Sequence, residues 1–286
     1  RFGRGLEQWA GDDFEAQVAE HGTDQVRAAI VPVLPHLRDQ QFWLTPQPPG
    51  DRLDPVGIGA GTGVGAGGQG AMRRDEPRAV HDVIADDVAR VGAVREAVGP
   101  GVQIFIDANC SLDYMSALSL ARRLERYDIA FFEEPVSHND VGNLVKLRGK
   151  VGMPLAGGQN EGLASRFRDF LTAQALDVVQ PNVCISGGYT QCLHIGGMAA
   201  AFNTQLANGG AWPHHNMHLH AGLANGTLVE YHSVAVECCK QVFDGLPEPT
   251  EGVLALPTAP GLGFKPNRER MAELAKRSLS RGVGKA

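Results

Sequence analysis

The chain has 286 residues, 43% hydrophobic and 20% charged, the composition of an ordinary globular protein with room for one large domain or two modest ones. A net charge of −6 argues against nucleic acid as a partner, and the cationic residues from Lys265 to Lys285 read as a solvated terminal helix. No run approaches the length of a membrane span, so no membrane partner and a soluble, cytoplasmic protein are expected; the five cysteines form no CxxC pair and read as reduced thiols.

Asp24 to Arg38 reads as an amphipathic helix interrupted by Pro32 and Pro35. Pro46 to Gly70 is a linker, with eight glycines in the fourteen residues GIGAGTGVGAGGQG. Gly65, Gly67 and Gly70 spell GxGxxG, but no apolar strand precedes them, so a dinucleotide site is not expected. From Pro77 the pattern turns regular. Val80, Val83, Ile84, Val88, Val91, Val94 and Val98 recur at helical spacing before Gly99-Pro100. VQIFID, IAFFEE, MPLAGG, DVVQ, TQLAN and TLVEY then read as short strands, separated by helices near residues 112–127, 141–148, 163–173 and 188–201. With a strand near Ala71 the count is seven.

Each strand closes on a polar residue: Asp107, Glu133, Gln159, Asn182, Asn208 and Glu230, in steps of 22 to 26 positions. That regularity predicts an α/β fold of the (β/α) TIM-barrel type, in which strand ends converge on one mouth. Asp107 and Glu133 on neighbouring strands would repel unless a cation joined them or Arg122 or Arg126 paired with them at the rim.

The motifs IDAN (106–109), FEEP (132–135), GGQN (157–160), QPN…GG (180–188) and GLGF (261–264) resemble the mandelate racemase and muconate lactonizing enzyme branch of the enolase superfamily over residues 71–268. The resemblance implies a modified or incomplete barrel at 71–268 and, at 1–70, a truncated remnant of an N-terminal α+β capping region with its linker. Residues 269–286 form a basic tail.

It further implies a Mg²⁺-dependent dehydratase that takes the proton alpha to the carboxylate of a sugar acid through an enediolate. A racemase or epimerase of a 2-hydroxy or amino acid and a non-catalytic barrel subunit are the alternatives. The substrate partner is a small-molecule carboxylate, and a homo-oligomer is expected. Asp107 and Glu133 are the first two implied ligands, with Asn109 and Glu134 beside them in supporting or substrate-contacting roles.

Three positions depart from the family. The third ligand is the neutral Gln159, with Glu161 as the substitute and otherwise a substrate contact. The acid of the family's His–Asp dyad is Asn182, and its histidine position falls on Gly209. His215, then His214, in a displaced loop just beyond in GGAWPHHNMHLHAG, are therefore the acid/base candidates; His218 and His220, where the next helix begins, read as structural. Arg74, in GAMRRDE, can clamp a carboxylate, but its guanidinium stays protonated and does not serve as a base. Glu230 is a further polar contact at the mouth.

Overall fold

A computed structural model describes residues 28–32, 43–45, 80–250 and 252–282. Its main sheet runs β2-β1-β3-β4-β5-β6-β7-β8, with β1 Ala28–Pro32, β2 Trp43–Thr45, β3 Gln103–Asp107, β4 Ile129–Glu133, β5 Leu155–Gly157, β6 Val178–Val179, β7 Gln205–Asn208 and β8 Gly226–Val229. Every pairing is parallel except the antiparallel contact of β2 with β1. From β3 to β8 the strands follow sequence order, as in a (β/α) barrel, and curl into a half-barrel that among the described residues does not close.

Helices cross between them: α1 Val80–Val98, α2 Tyr114–Leu124, α3 Val141–Arg148, α4 Leu163–Thr172, α5 Gly188–Ala201, α6 Pro213–Ala221 and α7 Ser233–Val242. A short pair, β9 Phe243–Asp244 with β10 Lys265–Pro266, precedes the terminal helix α8 Arg268–Gly282. Local chemistry sets several boundaries. The Asp113 side chain accepts from Ser116 N at the start of α2, and that of Asp140 from Asn143 N at the start of α3. At the end of α1, Arg95 donates to the carbonyls of Gly99, Val102, Tyr127 and Asp128, tying the helix to both neighbouring strands.

The two faces of each strand have different neighbours, as the period of two requires. Ile104, Ile106, Phe132, Leu155, Val179 and Leu206 are buried in the main core cluster with residues of the helices. Phe105, Phe131, Ala156, Val178 and Ala207 form a second, inner cluster, where the rings of Phe105 and Phe131 lie 4.3 Å apart. Asp107 follows Phe105 by two residues and Glu133 follows Phe131 by two, so both acids continue the inner face above an aromatic floor. The register pairs them directly: Asp107 opposite Glu133, and Pro32 opposite Asp107.

Two expectations are corrected. Residues 28–32 form a strand rather than part of a helix: AAIVP includes β-branched residues, and the neighbouring β3 supplies a full parallel ladder. The histidine segment is not a loop, because α6 begins at Pro213 and takes in all four histidines; proline at the first helical position is pre-set for that conformation. The strand expected near Ala71, Arg73 and Arg74, and the GxGxxG glycines lie outside the described residues. All five cysteines are free thiols. Among the described residues no helix is long and apolar enough to cross a membrane.

Candidate metal centre

Four carboxylates influence one another at the mouth. Glu133 is buried, while Asp107 and Glu230 are half-buried. Withdrawal from water pushes Asp107 well above the usual carboxylate range; hydrogen bonding from Asn109 opposes this, and the charges of Glu134 and Glu230 add to it. Glu133 is raised by burial and then by Asp107, Glu230 and Glu134, against a hydrogen bond from Gln180. Glu230 is pushed up to about 7 by burial, although it accepts from the backbone of Ala211 and Gly210. Among the described residues no ion pair reaches Asp107 or Glu133, and neither Arg122 nor Arg126 forms one. Instead Arg126 lies over the Tyr127 ring at 5.0 Å.

Supporting groups orient these acids. Asn109 donates its backbone N–H to Asp107 Oδ1 (2.7 Å) and its side-chain amide to Oδ2 (2.6 Å). The side-chain amide nitrogens of Gln159, Asn160 and Asn139 all donate to Glu134. A methyl placed on Gly209 would meet Glu133 Oε1 at 2.8 Å and both Oε1 and Cβ of Gln159 at 3.0 Å, so the two oxygens lie close to the same point at the end of β7.

A hard divalent cation fits this donor set: two carboxylates and an amide oxygen, with no opposing cation among the described residues. Among those residues no three His, Cys, Asp or Glu side chains form a metal cage, in keeping with the amide at position 159. Glu161 is engaged elsewhere. It pairs with Arg166 at 3.1 Å and accepts from Asn139 at 3.2 Å.

The opposite rim is organised differently. Asn182 is fully buried and donates to the carbonyls of Gly209 (2.8 Å), Gly210 (3.0 Å) and Ala211 (3.0 Å). Its oxygen accepts from Cys184 N and the Asn216 amide. It therefore clamps a turn in which Gly210, Ala211 and Trp212 all have positive φ, a conformation costly for the last two. Glu230 Oε2 accepts from Ala211 N at 2.7 Å, securing the same turn from β8.

Neither histidine candidate is hydrogen-bonded by Asn182. His214 Nε2 bonds the Pro247 carbonyl at 3.0 Å, and its ring meets Tyr231 and Phe264. His215 packs edge-on against Trp212, Phe243 and Phe264. Burial lowers the pKa of each; the hydrogen bond to the Pro247 carbonyl, then the charges of Glu248 and Lys240, bear next on His214, and the charges of His214 and His218 on His215, rather than the carboxylates of the mouth. What the sequence reading missed is the clamp by Asn182 on backbone 27 to 29 positions away, a contact that residue types alone do not signal.

Comparison with known proteins settles the family. A model described as enolase C-terminal domain-like matches residues 66–270. The chain belongs to the enolase superfamily. Arabinonate dehydratase of Saccharolobus solfataricus is 32% identical over 63% of this chain and 49% of its own length. D-galactarolactone cycloisomerase of Agrobacterium fabrum is 28% identical over 66% of this chain and 53% of its own. A mandelate racemase/muconate lactonizing enzyme from a marine actinobacterium, solved in complex with magnesium, is 33% identical with a TM-score of 0.61, covering 66% of this chain and 54% of that one. This superfamily member thus spans about half the length of the curated relatives it matches.

Proposed function

We propose that the chain is the Mg²⁺-binding catalytic barrel of a lyase that dehydrates a sugar acid after removing the proton alpha to its carboxylate. The observation that carries the reading is the register-paired Asp107 and Glu133, without a counter-cation among the described residues and with the Gln159 oxygen beside them. Asp107, Glu133 and Gln159 would hold the ion. When bound, it would supply Lewis acidity toward the substrate carboxylate. Asn109 fixes both oxygens of Asp107, and the Glu230–Ala211 contact fixes the turn facing them.

His215 is assigned the proton transfer, with His214 second. Its depressed pKa leaves the ring neutral near pH 7, the form that accepts a proton. Arg74 is assigned the substrate carboxylate clamp. The names of the relatives support an acid-sugar substrate, since arabinonate is a sugar acid and galactarolactone is the lactone of one.

A second reading is a barrel that binds metal and ligand without its own base. The aromatic packing of both histidines favours it. One experiment separates the two. The protein is incubated with Mg²⁺ and a panel of sugar acids in D₂O, with NMR following the alpha proton and any keto product. A dehydrated product that disappears in Asp107→Ala supports the lyase. Exchange without product points to racemisation, and a Mg²⁺-dependent rise in Tm without exchange points to the binding barrel.

A further inference from the structure

Between Asp177 and Glu230 the sequence contains no Asp, Glu, Lys or Arg, although 20% of the chain is charged. Burial accounts for part of this, since β6, most of β7 and most of α6 are buried. It does not account for α5. That helix buries Cys192, Ile195, Gly196 and Ala199 and exposes Leu193, His194, Gly197, Ala200 and Ala201, followed by the exposed Phe202. The exposed helical positions recur three and four residues apart, so they share one face. Leu193 is 48% exposed and Phe202 46%. Each of α1 to α4, α7 and α8 carries charged residues, whereas α5 carries none.

An exposed apolar face depleted of charge has the character of a contact surface rather than a solvated one. The same depletion selects the occupant. A charged surface pressed onto α5 would lose its hydration and meet no opposite charge. The face therefore fits a partner equally free of charge, and a second copy of α5 is such a partner. Nothing of its own chain lies within 4 Å of a methyl placed on Gly197, so the gap there opens outward.

We propose that α5 packs antiparallel against α5 of a second copy, about a two-fold axis at Gly197. Leu193 then lies opposite the partner's Ala201, and His194 opposite the partner's Ala200, so large side chains meet small ones. The two backbones approach most closely at the glycine, which has no side chain to hold them apart. Leu223 packs against Gly196, and the exposed Ala221, Gly222 and Ala224 beside it extend the uncharged surface. A contact built on one helix pair is of the small, transient class, so dimerisation depends on concentration.

Sedimentation velocity of the full chain across a concentration series reads the association, with circular dichroism and Tm as the check on folding. The parent is expected to shift from monomer to dimer as its concentration rises. Gly197→Glu places an unpaired charge at the centre of the contact and should weaken association by at least about 100-fold with the fold intact. Val145→Glu, at an exposed apolar position on α3, should leave association unchanged. Gly197→Cys, made together with Cys184→Ser and Cys238→Ser to remove the exposed native thiols, should give a disulfide-linked dimer on mild oxidation. A parent that stays monomeric at every concentration overturns the proposal. So does a dimer that survives Gly197→Glu, or one that Val145→Glu abolishes equally. An associating Gly197→Cys protein that yields no linked dimer overturns the two-fold pairing at Gly197.

Discussion

The two rims of the mouth use the same kinds of polar residue to opposite ends. On the β3–β5 rim, Asn109, Asn139 and Asn160 are donors to carboxylates, and oxygens of Glu133 and Gln159 lie close to one shared point. On the β6–α6 rim, Asn182 and Asn216 donate to backbone carbonyls of the turn at Gly209 to Trp212, and the histidine rings are enclosed by aromatic side chains. One rim gathers carboxylates and the amides that orient them. The other is preorganised to hold a strained turn. Family resemblance treats both rims as catalytic, but the hydrogen bonds divide the labour between them.

The largest expected effect comes from erasing that division. Asn182→Asp restores the acid of the family's dyad, yet here it turns a second acceptor toward three carbonyl oxygens in a fully buried position. An uncompensated buried charge of this kind costs about 3–5 kcal/mol. Urea denaturation at pH 7.5 should show that loss, with no gain in turnover. Unchanged stability would mean that the amide does not hold the turn.

The next effect lies where the rims meet. Gly209→Ala inserts a methyl 2.8 Å from Glu133 Oε1 and 3.0 Å from Gln159 Oε1. Overpacking should cost about 1–3 kcal/mol, and the methyl crowds both oxygens. At a Mg²⁺ concentration 100 times the parental Kd, the parent should gain about 2.7 kcal/mol of stability and the variant much less. An equal gain in both would place the ion elsewhere.

The readable parts of the molecule follow the same divide. Strands β3 and β4 could be located because β-branched and aromatic runs close on acids, and their side-chain period carries Phe105 to Asp107 and Phe131 to Glu133 on one face. Helices α3 and α5 announce their starts through Asp140 and the Gly187-Gly188 pair. Strand β1 could not be located, since its five residues are strand by virtue of the ladder with β3. The histidine rings were equally illegible. Their direction depends on a helix that starts after two non-glycine residues in left-handed conformation, Ala211 and Trp212, which nothing in those residue types requires.

The smallest effect reads the enclosed rim by pH. His220 is buried in α6, and neither ring nitrogen has a partner among the described residues. Its ring nitrogen Nδ1 lies against Gly226 at the start of β8, where an added methyl would approach it to 3.1 Å. Burial alone lowers the pKa from 6.5 to about 4. The folded state therefore keeps the ring neutral where the unfolded chain takes up a proton. Stability from this group is complete above pH 6.5 and declines as the pH falls from there through about 4.

Leucine at this position has nearly the same volume, no orphaned N–H and no proton to gain. His220→Leu should add about 1 kcal/mol at pH 7.5, from the relieved unpaired donor. Between pH 6.5 and 4.5 its Tm should fall less steeply than the parent's; the slope common to both proteins comes from His214, His215 and His232, whose pKa values burial also lowers, opposed by the raised carboxyl of Glu230. A parallel pair of Tm–pH curves would show that the ring is hydrated in solution and that the rim around α6 is more open than its packing implies.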